Sequence, residues 1–438
     1  MPFLVWVVRD GQVNTDVASN ASVALLSVGA VTAAFIVGPI YDLLGCQICL
    51  LLGGWTYALY AGSLLAYNHH HNGGFVIAAG AILGLGAAFL WIPQGVIMTT
   101  YVPEAQKGRA IAVFWIIFNL GGSVGSFASL GLNFHSSKGT VSDSTYIAYI
   151  VIMLFGWVVG SLLLVTEKQL NGKYTGARTS TIKEKYAGMS LSRTLATFKF
   201  AFSVLTQWRM LCLIPMFFYA NVFYTYQQNA VNAETFNIRT RSLNSALYWL
   251  AQMFGGLFMG AVLDFGRLTR KQRGCVAWTI LFVTGFCIWG GGYAFQLWSN
   301  KRIAAGHKQD VDMRDRIYIG PMFLYIFYGM YDALWQGFCY WMIGANSNNP
   351  AVNAIMVGAY KTSQSCGGAM AWRLSSTHVP AMNQMAMNWG LTIGTLLIAV
   401  PSVLTISLTS QDPGNTIEGK DEEAAPEFVT ADEKVELK

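Results

Sequence analysis

Apolar residues in this chain are grouped in long blocks instead of alternating singly with polar residues. Eleven blocks carry almost no charge, and each is close to the length of about 20 residues that a helix needs to cross a membrane. The pattern therefore predicts an all-α polytopic membrane protein with about 11 transmembrane helices. The predicted segments are 21–40, 47–66, 75–102, 110–133, 145–166, 209–229, 242–263, 274–298, 317–343, 351–372 and 385–409.

One polar stretch, residues 167–208, is longer than the other connections and divides the segments into five before it and six after it. This arrangement predicts two helix bundles, at 1–166 and 209–409, joined by a cytoplasmic linker. Residues 410–438 contain nine acidic residues and three lysines with few large apolar residues, which predicts a disordered acidic tail.

Composition supports a membrane protein and excludes several other classes. Hydrophobic residues make up 54% of the chain and charged residues 11%, against about 25% charged in a typical soluble domain. The net charge of +6 is not concentrated in a basic, aromatic-interleaved patch, so no nucleic-acid partner is expected. No catalytic triad, phosphate-binding loop or zinc-protease motif is present, so neither enzymatic activity nor a cofactor is expected. The scattered cysteines and the run His69 to His71 do not predict a metal site.

The basic loops give an orientation. If the 167–208 linker is cytoplasmic, so are the basic loops at 103–109 and 264–273, in accord with the excess of Lys and Arg on the cytoplasmic side of membrane proteins. The loop at 299–316 is also basic but lies on the other side, where aspartates offset its charge. Sequence leaves the membrane of residence open between the plasma membrane and the vacuole or another endomembrane.

A loop motif occurs twice and indicates two homologous halves. In the first half, "GPIYDLLG" places Gly38, Asp42 and Gly45 after the first apolar segment. In the second half, "GAVLDFGR" repeats the spacing 222 residues later. Its motif residues are Gly260, Asp264, Gly266 and Arg267. Glycines at such positions let two membrane helices approach closely, and an aspartate can accept hydrogen bonds at a neighbouring helix end. The spacing resembles the loop signature of the major facilitator superfamily.

Longer stretches narrow the resemblance. Four of them resemble the uncoordinated-93-like (Unc-93-like) family of that superfamily, most of all its fungal-type members. They are "LWIPQGVIMTTYVPEAQKGRAIAVFWIIFNLGG", "FFYANVFYTYQQNAVN", "YGMYDALWQGFCYWMIGANSNN" and "AYKTSQSCGGAMAWRL". The resemblance implies a twelve-helix fold. The chain opens with "MPFLVWVVRDGQ", whose apolar part is too short to span a membrane, so we expect it to be the end of a truncated first helix.

The resemblance implies two alternative functions. One is a transporter that moves a small solute, a proton or a monovalent cation by alternating access. The other is a regulator or chaperone that binds other membrane proteins without transporting, because animal relatives include a potassium-channel regulator and a trafficking chaperone. In either case the protein is embedded in the lipid bilayer.

Two ionisable residues lie near the middle of predicted membrane helices, where a charge is costly and is by default a functional hypothesis. Asp332 lies 15 residues before the turn centred near residue 347, and Lys361 lies 14 residues after it. In an antiparallel hairpin both are about 20 Å from the turn, at ~1.5 Å per residue. We therefore expect the two side chains to pair, either as a static link between helices or as a proton- or ion-responsive switch beside a central cavity.

Other polar and aromatic residues in the predicted central helices are candidates for the lining of this cavity. The alternative role for them is interhelical hydrogen bonding, which contributes only ~0.6 kcal/mol on average in membranes. These candidates are Trp91, Gln94, Asn221, Tyr224, Gln227, Gln228, Trp335, Gln336 and Gln364.

Overall fold

A computed structural model describes residues 15–133, 143–164 and 191–407. Each of the eleven predicted apolar segments contains a helix. The first bundle consists of α1 (Thr15–Thr32), a π-helical turn (Ala33–Val37), α2 (Gly38–Gly53), α3 (Thr56–His70), α4 (Gly73–Thr100), α5 (Lys107–Asn133) and α6 (Asp143–Leu163).

The second bundle begins after a connecting helix, α7 (Leu191–Leu205). It consists of α8 (Trp208–Tyr219), its continuation in a short helix (Phe223–Thr225) and a π-helix (Tyr226–Ala233), α9 (Ile238–Leu263), α10 (Arg270–Ala304), α11 (Ile319–Asn346), α12 (Pro350–Ser376) and α13 (Ala381–Leu404). Within the described residues, eight helices are long and apolar enough to cross a membrane, or nine if the bent pair of α7 and α8 counts as one span. Helices α11 and α12 contain many aromatic and polar side chains and, at 28 and 27 residues, are also long enough to cross a membrane.

Small residues allow the two bundles to contact each other closely. A Cβ on Gly260 of α9 would lie 2.7 Å from the carbonyl oxygen of Gly108 on α5, so the two backbones touch at this crossing. At the other crossing, Thr362 of α12 donates a 2.9 Å hydrogen bond to the carbonyl oxygen of Ala30 on α1. Close contact of this kind between small residues is typical of helix packing in membranes.

The outer surface of the bundles is apolar, as a surface in contact with lipid must be. Large hydrophobic side chains that would be buried in a soluble protein are exposed along the outer helices, among them Phe35, Ile117, Phe155, Leu162 and Phe254. The buried interior, in contrast, contains many polar side chains, and most of these lie on the helices of the second bundle. Polar chemistry is therefore concentrated inside the protein.

The linker differs from the sequence prediction in one respect. Residues 191–205, predicted as part of a polar connection, form α7, and its described end lies at 80° to the helix that follows. Ala201 and Val204 are buried while Phe202 is exposed, so α7 packs one face against the bundle. Residues 167–190 of the predicted linker, the acidic tail and the chain opening lie outside the described residues.

Candidate functional site

Asp332 is buried in α11 and is surrounded by hydrogen-bond donors from three helices. Its side chain is 1% exposed. Its carboxylate accepts hydrogen bonds from the hydroxyl of Tyr224, from the amide of Gln252 at 2.8 Å and from the amide of Gln336 at 2.7 Å. Because an ionised carboxylate only accepts hydrogen bonds, a shell made of donors is the environment that such a group requires.

The shell around Asp332 extends to a further tyrosine. The hydroxyl of Tyr248 lies 3.4 Å from the carboxylate and 2.8 Å from the side-chain oxygen of Gln227. Gln227 therefore belongs to the network through Tyr248 and does not contact the acid directly. The shell links the continuation of α8, α9 and α11.

Lys361 of α12 lies in an aromatic cage. Its ammonium nitrogen is 4.7 Å from the ring centroids of Trp91 and Tyr360 and 5.1 Å from that of Tyr340. It donates one hydrogen bond, at 2.9 Å, to the side-chain oxygen of Gln364. Aromatic rings attract a cation through the negative potential of their faces, so the cage stabilises the ammonium without neutralising it.

Asp332 and Lys361, both within the described part of the chain, do not form the direct ion pair predicted from the sequence. They are joined by two glutamines. The amide of Gln364 donates at 3.0 Å to the side-chain oxygen of Gln336, whose own amide donates to Asp332. Spacing along the sequence predicts how deep a residue lies in the membrane but not how two helices are rotated, and here the rotation places amides between the charges.

A cavity of about 100 Å³ lies between the two bundles beside this network. Trp91, Trp115 and Phe118 of the first bundle form its aromatic wall, and small and apolar residues of α1 form another side. The polar side of the cavity comes from the second bundle, from Asn221, Tyr224, Gln336, Lys361, Gln364 and Ser365.

The first bundle reaches the network through α4. Trp91 donates a 2.9 Å hydrogen bond to the hydroxyl of Tyr57, which holds the indole ring over Lys361. One turn further along α4, the side-chain oxygen of Gln94 accepts a hydrogen bond from Tyr340 of α11 at 3.2 Å. Trp91 and Gln94 therefore connect the two bundles at the level of the lysine.

Four of the nine predicted lining residues do not line this cavity. Gln94 and Gln227 belong to the network beside it, and Trp335 and Gln228 lie elsewhere. Trp335 donates at 3.1 Å to the carbonyl oxygen of Met216 and packs within the second bundle. It turns away from the cavity because successive residues of a helix point about 100° apart, and its neighbour Gln336 faces the cavity. Gln228 accepts a hydrogen bond from Tyr325 at 3.1 Å, also inside the second bundle.

The helix that carries Asn221 and Tyr224 is interrupted beside the cavity. Regular α-helix stops at Tyr219, residues 220–222 form a turn, and a π-helix follows from Tyr226 to Ala233. The amide of Gln364 donates at 3.4 Å to the carbonyl oxygen of Ala220, which lies in this interruption. Discontinuous membrane helices are tolerated where they line a cavity, and π-helical turns are frequent at functional sites.

Sequence analysis missed four residues of the network, namely Tyr248, Gln252, Tyr340 and Tyr360. Tyr248 and Gln252 are four positions apart on α9, so they share one helical face within an otherwise apolar run. That spacing is a signal that a search for polar pairs at helical intervals would find. The two other tyrosines offer no such signal, because tyrosine is common in apolar segments of this chain.

The second copy of the loop motif joins the two bundles. The carboxylate of Asp264 accepts hydrogen bonds from the backbone N–H groups of Gly108 at 2.8 Å and Arg109 at 2.6 Å, at the beginning of α5. Burial raises the pKa of Asp264 above its ordinary value, although these donors and the nearby Arg109 and Arg273 act in the opposite direction. An acid at the N-terminal end of a helix also interacts favourably with the helix dipole. Gly266 and Arg267 lie in the exposed turn that follows.

The first copy of the motif is built in a similar way where the structure describes it. Gly38 packs against α12, where a Cβ on Gly38 would lie 3.9 Å from the Cα of Gly358. Gly45 has a φ of 73° and interrupts α2. A residue with a side chain would adopt this backbone conformation only with strain. The side chain of Asp42 lies outside the described part of the structure.

Comparisons with known proteins agree with this architecture. The sequence profile of the Major Facilitator Superfamily matches residues 1–372. The solved structure of the fucose:proton symporter of E. coli superposes with a TM-score of 0.54 over 92% of this chain and 96% of that chain, at 10% identity, which shows a shared fold.

Relatives of higher identity narrow the family. An UNC93-like protein of Schizosaccharomyces pombe is 42% identical over 405 residues, which are 92% of this chain and 78% of the relative. UNC93-like protein 1 of Arabidopsis thaliana is 38% identical over 383 residues, which are 87% of this chain and 81% of the relative. The family predicted from the sequence motifs is thereby confirmed. The chain is an integral, multi-pass membrane protein that belongs to the major facilitator superfamily and, within it, to the UNC93-like family.

Proposed function

We propose that this protein transports a small solute across its membrane by alternating access, with the cavity between the bundles as the solute site. The observation that carries the proposal is the network beside this cavity, in which Lys361 is linked through Gln364 and Gln336 to the buried Asp332. Charges inside a membrane protein are costly and are retained chiefly where they act on a substrate or on a conformational change.

The network is suited to a conformational switch because its members come from several helices and from both bundles. Asp332 binds side chains of α9 and of the continuation of α8, and Lys361 contacts Trp91 of the opposite bundle. A movement of the first bundle relative to the second would remove the indole face from the ammonium and change its environment. A solute that binds the two arrangements with different affinity would then shift the equilibrium between them.

The broken helix and the structural neighbour support the same proposal. Discontinuous helices at the interface between repeats form the solute sites of many transporters, and the interruption at residues 220–222 lies beside this cavity. The E. coli protein with the same fold is named as a fucose:proton symporter. At 10% identity the likeness supports alternating access but not a sugar substrate.

The experiment is a flux measurement with the full-length protein in proteoliposomes. Uptake of protons, potassium and small anions is compared for the wild type and for Asp332→Asn, with Asp143→Asn as a matched control, because Asp143 is exposed at the beginning of α6 and contacts His69. We expect Asp332→Asn to reduce flux by about tenfold or more, which corresponds to ~1.4 kcal/mol in the barrier, and the control to leave it unchanged.

Two results would overturn the proposal. Unchanged flux in Asp332→Asn would remove the acid from the mechanism. Absence of flux for every solute, together with co-purification of a membrane protein in stoichiometric amount, would favour a regulator or chaperone in place of a transporter.

A further inference from the structure

The charge that faces the cavity is positive. Among the described residues that line it, Lys361 is the only one with a charged side chain, and Asp332 is not in contact with the cavity. Most of the surface that lines the cavity is apolar, a setting in which water screens charges poorly. The sign of this charge therefore determines which solutes bind.

The negative charge of Asp332 is stabilised by hydrogen-bond donors and does not face the cavity. Its carboxylate already accepts hydrogen bonds from Tyr224, Gln252 and Gln336. Tyr224 and Gln336 line the cavity themselves, so they stand between the carboxylate and any bound solute. A cation in the cavity would meet these two side chains and the ammonium group, but not the carboxylate.

The positive charge of Lys361 is incompletely satisfied. An ammonium group has three donors, and Gln364 accepts from it at 2.9 Å. The other neighbours close to it are the faces of Trp91, Tyr340 and Tyr360, which attract a cation but replace a hydrogen-bond acceptor or a counter-ion only in part. The lysine therefore retains capacity to bind an anion.

From these observations we infer that the solute is a small monovalent oxyanion, of the carboxylate or nitrate class, bound by the ammonium group of Lys361. The inference rests on the proposed transport function and specifies its substrate class. Since about 10–15 Å³ of such volume holds one water molecule, the cavity of about 100 Å³ has room for several water-sized groups, which is enough for formate or nitrate. The aromatic wall provides an apolar surface for the remainder of the anion.

Binding is tested first, with the purified full-length protein and without any requirement for transport. Equilibrium dialysis measures the binding of radiolabelled formate in a gluconate buffer, because gluconate is a much larger anion than formate, and unlabelled nitrate serves as competitor. We expect wild type and Lys361→Arg to bind formate, and Lys361→Met to bind it at least about tenfold more weakly, a loss of ~1.4 kcal/mol. Lys301→Met is the matched control, because Lys301 is exposed at the end of α10.

A folding defect is distinguished from loss of the site by the thermal unfolding of each variant. Formate should raise the unfolding temperature of wild type and Lys361→Arg but not that of Lys361→Met. Equal binding by wild type and Lys361→Met would overturn the inference. So would protection by potassium or tetramethylammonium gluconate in the absence of any protection by formate and nitrate.

The flux experiment separates this inference from the transport proposal. Formate binding that depends on Lys361, without flux of any solute, would confirm the anion site and contradict transport. Flux of a cation that depends on Asp332, without binding of formate or nitrate, would confirm transport and overturn the anion. Uptake of formate or nitrate that is lost in Lys361→Met would support both.

Discussion

Asp332 and Lys361 are held in one hydrogen-bonded network, but Gln336 and Gln364 lie between them. The charges therefore influence each other through polarisable amides instead of direct contact. Such a link is weaker than an ion pair and is broken by a small rotation of either helix. The arrangement is thus better suited to a change of state than to holding α11 and α12 permanently together.

The coupling between the two charges is measurable with a double-mutant cycle. Each of Asp332→Asn and Lys361→Met should lower the free energy of unfolding by ~1.5–3 kcal/mol, because each removes a buried charge that is hydrogen-bonded to its neighbours. The double variant should lose less than the sum, with a coupling energy of ~0.5–3 kcal/mol. Unfolding in mixed micelles with increasing SDS measures all three, and strict additivity would show that the two charges are independent.

The glutamine next to the lysine offers a sharper test of the link. Gln364→Leu keeps a similar volume but removes the acceptor for Lys361 and the donor to Gln336, so stability should fall by ~1–3 kcal/mol and flux should fall with it. Gln364→Glu should instead raise the unfolding temperature and abolish flux, because a carboxylate would pair with the ammonium and occupy its binding capacity. Gln106→Leu, at an exposed position before α5, is the control for both. Equal flux in all three variants would contradict a role for Gln364.

Much of this site could be predicted from the sequence because helix periodicity and charge are local signals. The apolar blocks predict the helices, and a charge within such a block identifies Asp332 and Lys361 without knowledge of the fold. The repeated glycine and aspartate spacing likewise predicts the close crossing of α9 with another helix, which the structure shows to be α5.

The partners of each charge could not be predicted, because they depend on helix rotation and on contacts distant in sequence. Gln252 and Asp332 are 80 residues apart along the chain, and the aromatic cage of Lys361 includes a tryptophan of the other bundle. The π-helix from Tyr226 to Ala233 further changes the direction of side chains such as Gln228. A pattern of apolar and polar residues read at 3.6 residues per turn does not reveal this change.

Three glycines of the loop motifs should respond differently to substitution by alanine. Gly260→Ala would place a Cβ 2.7 Å from the Gly108 carbonyl oxygen and should separate α9 from α5 at a cost of ~1–3 kcal/mol. Gly45→Ala meets no atom within 4 Å but forces a side chain into a backbone conformation with φ 73° and ψ 168°, which costs ~1–3 kcal/mol. Gly266→Ala has neither problem and should change stability by less than ~0.5 kcal/mol.

Thermal unfolding of the three variants in detergent measures these differences in stability. Flux then distinguishes Gly260→Ala from Gly45→Ala. Gly260→Ala should also reduce flux because the crossing that it widens joins the two bundles, whereas the strain at Gly45 lies within the first bundle. A Gly266→Ala variant as unstable as Gly260→Ala would contradict the assignment of the effect to the helix crossing.

Two neighbouring aspartates between α10 and α11 give the last prediction, which concerns pH. Burial alone would raise the pKa of Asp312, but hydrogen bonds from Arg239 and Asn237, both at 2.5 Å, outweigh it and hold the pKa below the ordinary value of 3.8. A carboxyl whose pKa is lower in the folded protein adds stability above the ordinary pKa, and that stability is lost as the pH falls through the lowered value. Asp312→Asn should therefore cost ~1–3 kcal/mol at neutral pH, and its difference from wild type should shrink as the pH falls below about 4.

Asp310→Asn is the matched comparison, since Asp310 contacts Arg302 at 2.7 Å but its side chain is 38% exposed against 13% for Asp312. Solvent screens such an exposed pair, so this variant should cost no more than ~1 kcal/mol at any pH. Unfolding temperatures recorded from pH 7 down to the acid limit of folding compare the two, and equal losses at neutral pH would show that burial of Asp312 does not strengthen its hydrogen bonds.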